Sequence, residues 1–408
     1  MERTLKPVDA DGVLQAVHWA AAEAVPLEVL GHGSKRDMGR PVQAEYGLDL
    51  SGLSGVTLYE PEELVLSVKA GTPVADIETL LADHNQMLAF EPMDFGPFFG
   101  AARGRGTMGG ILAANVSGPR RIKAGAARDH VLGVAAVSGR GEAFKSGGRV
   151  VKNVTGYDLS KGLAGSWGTL AVVTDVTFKV LPRPEASATL VIAGLDDMTA
   201  VAALCKAMGT PFDVSGAAHI PEKLAAEVPD VAFASGGRAA TLIRLEGIGP
   251  SVDYRAEKLS ALVGRLGEVA VVEGAQSEGA WRAVRDASAF GVSPHPVWRV
   301  SVAPKDGPRV VAALKNAHPV RHFYDWSGGL VWIEVEEEAR DGLARAIRAA
   351  VAEAGGGHAT LMRGSPALRT AIAPFEPQPA ALAALSRRLK EQFDPRRILN
   401  PGRMVAGV

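Results

Sequence analysis

A strand that runs straight into bare backbone and positive charge leaves a chain few ways to fold. The hydrophobic run VPLEVL is followed at once by LGHGSKRDMGRP, in which Gly31 and Gly33 flank His32 and precede Ser34, Lys35 and Arg36. Glycines let backbone N–H groups converge, and a hydroxyl with two cations behind them suits a pyrophosphate. Taken alone, the loop reads equally well as a surface turn, because glycine clusters ordinarily punctuate structure. It is not alone. A second segment, RGRGTMGGILAANVSGPRR, opens a helix at Thr107, Met108, Gly109 and Gly110 and continues through Ala113, Ala114, Asn115, Ser117 and Gly118. Such small side chains let a flat ligand lie against the backbone, or let a helix pack closely on a sheet. The segment also holds a literal G-x-G-x-x-G at Gly104, Gly106 and Gly109, with Asp129 about 20 residues beyond, as in a dinucleotide fold. That match is a decoy, because the fingerprint needs a strand directly before its glycines and AFEPMDFGPFFGAAR is not one. A third segment, VVKNVTGYDLSKGLAGSWGTLAVVT, supplies Lys152, Asn153, Gly156, Tyr157 and Asp158. By residue type alone, Tyr157 reads as a core aromatic.

Up to residue 183 the chain alternates short β-branched runs with helices. VPLEVLG and ELVLSVKAG read as strands, and TPVADIETLLADHN carries Val74, Ile77, Leu80 and Leu81 on one helical face, with Thr72 as N-cap and Pro73 in the first turn. The prolines of LPRP, ending at Pro184, mark a boundary. Beyond it, strand and helix patterns recur in β-α-β passes, which suggests an α+β cap over 184–380 made of ferredoxin-like halves, an antiparallel sheet with helices on one side. An alanine-rich helix and the tail DPRRILNPGRMV close the chain over 381–408.

Charge and cysteine content narrow the partners. Lysine plus arginine number 44 against 45 aspartate plus glutamate, so no global field argues for nucleic acid. A single cysteine, Cys205, excludes a disulfide framework and a cysteine-ligated iron–sulfur cluster held by this chain alone. MERTLKPVDADG carries charges where a signal peptide needs an apolar core, and no apolar run approaches a membrane span. The expected compartment is the cytoplasm, with any membrane contact peripheral, on the inner face of the cell membrane.

The order of these motifs resembles the vanillyl-alcohol-oxidase, or PCMH, type of FAD-binding domain: a G-x-G-S loop, then TMGG and AN, then GYDL and GSWGTLAVVT, and finally NPG. More narrowly, GSKRDMGRP, GGILAANVSGPRR, ARDHVLG and DPRRILNPGRM look like FAD-binding subunits of bacterial glycolate oxidase, and the likeness continues through WRVS, DWSGGLVW and GGGHAT. The resemblance implies a two-lobed FAD-binding domain over 1–183, with lobes of roughly 1–50 and 51–183, beneath the cap. It implies that Gly31, His32, Gly33, Ser34, Lys35 and Arg36 wrap the FAD pyrophosphate. Thr107, Met108, Gly109, Gly110, Asn115, Ser117 and Gly118 would line the ribityl chain and flavin. Gly156, Tyr157, Asp158, Gly168 and Val173 would complete the pocket, with Asn400 and Arg403 brought back by the tail. His32 stands between the glycines rather than after them, so the FAD is expected to be non-covalent.

For oxidation of a small hydroxy acid, arginine can grip the carboxylate and histidine can serve as base. Candidates are Arg299 in VWRVS and His358 in GGGHATLMRG, with Arg363 nearby, although His358 between a glycine turn and a strand also suits a packing role. Related hydroxy acid flavoproteins carry two histidines around a GDG turn for a metal. GGGHAT keeps one, so no metal site is expected and direct oxidation is in question. Three readings stay open. The first is the FAD subunit of a glycolate oxidase complex, working with a second FAD-binding subunit and an iron–sulfur subunit. The others are a self-sufficient D-2-hydroxy acid dehydrogenase and an assembly subunit without catalysis of its own.

Overall fold

A crossing helix makes the first layer. The structure, a computed structural model, describes residues 3–149, 156–291, 293–336 and 340–407. Strands β1 (Arg3–Leu5), β2 (Leu27–Leu30) and β3 (Tyr46–Asp49) pair in parallel in the order β1-β3-β2. Parallel neighbours need a crossover, and the helix Ala10–Glu23 provides it. Asp9 caps this helix by accepting the Gly12 N–H at 2.7 Å. Its buried Val13, Val17 and Ala20 meet Leu27 and Leu48.

The second layer is antiparallel. It follows from β4 (Val56–Glu60), β5 (Val65–Lys69), β6 (Gln86–Met87), β7 (Val131–Ser138), β8 (Ala143–Gly147), β9 (Ala171–Lys179) and β10 (Leu181–Pro182). Five of these form one sheet, β4-β5-β9-β7-β8, while β6 and β10 pair with each other. The helix expected after β5 runs Val74–Asp83, but its N-cap is Pro73 rather than Thr72. The Thr72 hydroxyl is already engaged, donating to the Lys69 carbonyl at 2.7 Å and accepting the Gly55 N–H at 3.0 Å.

The remaining strands are β11 (Ala186–Ala193), β12 (Gly216–Ile220), β13 (Ala240–Gly247), β14 (Val269–Glu273), β15 (Val297–Ser301), β16 (Val320–Asp325), β17 (Leu330–Val335) and β18 (His358–Arg363). They make one antiparallel sheet in the order β14-β11-β13-β12-β16-β17-β15-β18. Each half is strand-helix-strand-strand-helix-strand with its fourth strand beside its first, a ferredoxin-like arrangement. The halves meet where His219 of β12 pairs with Tyr324 of β16. The four crossover helices, Asp197–Met208, Gly249–Val263, Gly307–Lys315 and Ala344–Glu353, pack on one face.

The other face is not bare, as the expectation of helices on one side would leave it. Helices Glu222–Glu227, Pro229–Ser235 and Gly274–Arg285 cover its first half, and Phe95 and Phe98 of the N-terminal layers join the same cluster. A buried ion network locks the layers together. Arg244 of β13 donates to both Glu91 oxygens at 2.8 and 2.9 Å, and Arg120 donates to both Glu246 oxygens at 2.9 and 2.8 Å.

The C-terminal helix Ala380–Phe393 buries only Lys390 and leaves Leu382, Leu385 and Leu389 41–54% exposed. Lys390 anchors it, donating to Asp394 at 2.7 Å and to the carbonyls of Thr169 and Leu399 at 2.7 and 3.0 Å. Leu399 then bridges in parallel to Leu27, which carries the tail back beside β2. Among the described residues, no helix is long and apolar enough to cross a membrane.

Candidate functional site

Where β2 ends, the chain turns immediately through Gly31, His32, Gly33, Ser34, Lys35 and Arg36. Gly33 has φ of +72°, which glycine adopts without strain. Gly31 is small for a different reason: a Cβ there would stand 2.7 Å from the Thr107 hydroxyl. Thr107 caps the helix Met108–Ala114, its hydroxyl accepting the Gly110 N–H at 3.2 Å. The two glycine segments therefore abut. With β9 and the C-terminal turn they bound a cleft that opens to solvent. All six loop residues line it, as do Thr107, Gly109, Gly110, Gly168, Val173 and Arg403.

Electrostatics suit this cleft to an anion. Arg36 is largely engaged, its guanidinium bound bidentately to the buried Glu28 at 2.9 and 2.7 Å. Lys35 is different. Among the described residues it makes no ion pair, only a 3.3 Å contact with the Ser34 hydroxyl and a cation–π contact 5.1 Å from the Phe95 centroid. Burial and the neighbouring Arg403 push its ammonium down to about 8. Burial likewise brings Arg403 down to about 10, and its guanidinium donates to the Lys35 carbonyl at 2.7 Å. Two desolvated cations that repel each other across a glycine-walled cleft fit the pyrophosphate of FAD. Asn400 lies behind the lining and braces it, donating to the Trp167 carbonyl and accepting the Val29 N–H, both at 2.8 Å.

The other residues expected around the cofactor stand apart from the cleft. Met108 points into the core. Asn115 takes a left-handed conformation at the helix end and accepts the Arg128 N–H, while the Ser117 hydroxyl accepts the Ala127 N–H. The Gly118 carbonyl accepts Trp326 Nε1–H at 3.1 Å. Tyr157 is 90% exposed rather than core, Gly156 is exposed beside it, and Asp158 caps the helix Leu159–Leu163. Lys152 and Asn153 lie outside the described residues.

Arg299 and His358 come together at the cap sheet. Arg299 of β15 sits opposite Thr360 of β18, and His358 sits opposite Ser301, so both project from the face turned toward the N-terminal layers. Neither lines the cleft. Arg299 lies 4.7 Å from the Trp326 centroid, and its buried Nε has no hydrogen-bond partner. Burial and the charge of Arg121 bring it down to about 10. His358, at the exposed rim, is held below the usual histidine value by partial burial and by Arg299. Arg363 is occupied, donating to the carbonyls of His295, Phe98 and Phe290. Asp325, beneath Trp326, is pushed up to about 7 by burial. Sequence reading missed Glu28, Arg121, Asp325 and Trp326. Only the DWSGG motif held a signal, and it did not say what Trp326 touches. No group of three or more histidine, cysteine or acidic side chains is placed to hold a metal among the described residues.

Comparison with known proteins shows the family and the fold. Residues 1–147 match the FAD binding domain family. The glycolate oxidase subunit GlcE of Escherichia coli (strain K12) is 33% identical over 400 residues, 97% of each chain. The glycolate oxidase subunit GlcD of Bacillus subtilis (strain 168) is 25% identical over 99% of this chain and 89% of its own. In fold, p-cresol methylhydroxylase with substrate bound superposes with a TM-score of 0.74 at 16% identity, over 98% of this chain and 88% of that one. With an FAD binding domain over residues 1–147 and a relative matched over 97% of both chains, this chain belongs to the family of the glycolate oxidase subunit GlcE.

Proposed function

We propose that this chain is the FAD-binding subunit of a glycolate oxidase and that it oxidises glycolate to glyoxylate. FAD, when bound, supplies the acceptor for the hydride that leaves the hydroxyl-bearing carbon. The loop 31–36, Thr107, Gly109, Gly110 and Arg403 would hold it non-covalently, with Lys35 and Arg403 supplying charge for its pyrophosphate. Arg299 grips the substrate carboxylate, for which a planar guanidinium with a free Nε is suited. His358, neutral near pH 7 because its pKa is depressed, accepts the hydroxyl proton. The observation that carries this reading is an arginine whose buried Nε has no partner among the described residues, beside a histidine on the sheet face turned toward the N-terminal layers.

Electrons then pass to an iron–sulfur subunit, since the sole cysteine, Cys205, cannot ligate a cluster. A second FAD-binding subunit completes the assembly. The exposed leucine face of the helix Ala380–Phe393 supports membership in a complex. A second reading, electron relay without substrate chemistry, is favoured by one fact: neither Arg299 nor His358 lines the cleft. Anaerobic addition of glycolate to the FAD-loaded protein separates the two. Bleaching of the flavin band, lost in Arg299→Lys and His358→Gln, supports oxidation by this chain, whereas a band that stays oxidised leaves the relay and the assembly role.

A further inference from the structure

Two arginines stand side by side in GPRR, and the fold uses them differently. Arg120 is consumed by structure, bound to Glu246 and Glu91. Arg121 has no ion pair and no side-chain hydrogen bond among the described residues. Its guanidinium lies 4.3 Å from the Trp326 centroid, and that of Arg299 lies 4.7 Å from the same centroid. One indole therefore meets two cations from different layers, Arg121 from the N-terminal layers and Arg299 from the cap sheet.

Asp325 offsets the burial of Arg299 and the charge of Arg121 only in part. Asp325 is buried and accepts the Trp326 N–H at 2.7 Å, and Glu376 accepts the Ala359 N–H at 2.9 Å and lies 3.5 Å from Arg348. Neither forms an ion pair with Arg121 or Arg299. The surplus positive charge is felt by its neighbours, since Arg121 lowers the proton affinity of both Arg299 and His358. Arg121 and His358 are exposed, so the cluster is open to a small solute.

We propose that Arg121 is a second carboxylate-binding residue and determines specificity: with Arg299 it holds the carboxylate of a small 2-hydroxy acid against Trp326, leaving the 2-hydroxyl toward His358. The assignment rests on the hydroxy acid reading above. It adds that the carboxylate site is divided between the two layers and is complete only when they are docked. It also explains how an acid is selected over a neutral diol: only an anion relieves the repulsion between two guanidinium groups.

The test uses oxalate, a two-carbon carboxylate that cannot be oxidised as a hydroxy acid, titrated into the FAD-loaded protein with whatever subunits co-purify. Binding is read from the perturbation of the flavin visible spectrum. Arg121→Gln is expected to raise the oxalate Kd about tenfold or more, the loss of a charge-assisted contact, with FAD content unchanged. Guanidinium ion at millimolar concentration should restore part of the affinity in Arg121→Ala, and Arg128→Gln, an exposed arginine in the next helix, should bind as wild type. Oxalate that binds Arg121→Gln as tightly as wild type, or that fails to perturb the wild-type spectrum, overturns the assignment. If glycolate never bleaches the flavin while oxalate binding still depends on Arg121, the oxidation reading falls and the anion site stands.

Discussion

FAD affinity should depend on pH through Lys35. Its ammonium sits at about 8 in the free cleft, against roughly 10.4 for a solvated lysine. A pyrophosphate favours the charged form, so the pKa rises again when FAD binds. Affinity is therefore fully present below about pH 8 and declines as pH rises through that value. If binding restores the ordinary value, the charged fraction of the free protein falls from about nine-tenths at pH 7 to about one-tenth at pH 9. The Kd then rises roughly tenfold, or about 1.4 kcal/mol. Arg403, at about 10, stays charged over most of this window and adds little slope. Titration of apoprotein with FAD, followed by flavin fluorescence at several pH values, reads the effect. Lys35→Arg should flatten the profile while keeping affinity, and Lys35→Met should flatten it at uniformly weak affinity. A flat wild-type profile, or a slope that survives in Lys35→Met, would refute the reasoning.

Two further outcomes concern stability. Lys390→Met strands the fully buried Asp394 carboxylate and should cost about 3–5 kcal/mol, lowering Tm by roughly 3–6 °C in a chain of this length. FAD retention should fall with it, because the tail that carries Asn400 and Arg403 is released, and Lys390→Met combined with Asp394→Asn, which drops the charge but keeps an amide oxygen as acceptor for the Ile398 and Leu399 N–H groups, should regain part of the loss; a single variant that melts like wild type contradicts this. In the ion network, burial pushes the Glu246 carboxyl up but Arg244 and Arg120 pull it further down, to about 2. A depressed carboxylate contributes stability that is present above its unfolded value near 4.5 and lost as pH falls toward 2. Acid unfolding curves should therefore steepen across that window in wild type and lose part of the slope in Glu246→Gln.

Most of the elements are readable because their signals are local. The alternation of β9 and the i, i+3 and i+7 spacing of Val74, Ile77 and Leu81 depend on neighbours a few residues away, and so do the strand and helix runs of both cap halves. The helix Gly274–Arg285 escaped because it opens on glycine and polar residues. Its inward positions, Ser277, Ala280, Trp281 and Val284, declare a face only once the sheet is there to cover.

The chemistry of single side chains follows the same division. Sequence alone determined the glycine loop behind a strand, the helix opening at Thr107 and the absence of cysteine ligands, because those need only adjacent residues. It could not say that Arg36 would be taken by Glu28, that Lys390 would be buried, or that Arg120 would be consumed while Arg121 stayed without an ion pair among the described residues. Glu91 meets Arg244 across 153 residues, and Trp326 meets Gly118 across 208. A charge is neutralised, desolvated or left available by what lies within a few ångströms of it, and only the tertiary fold brings residues so far apart in the chain to that distance.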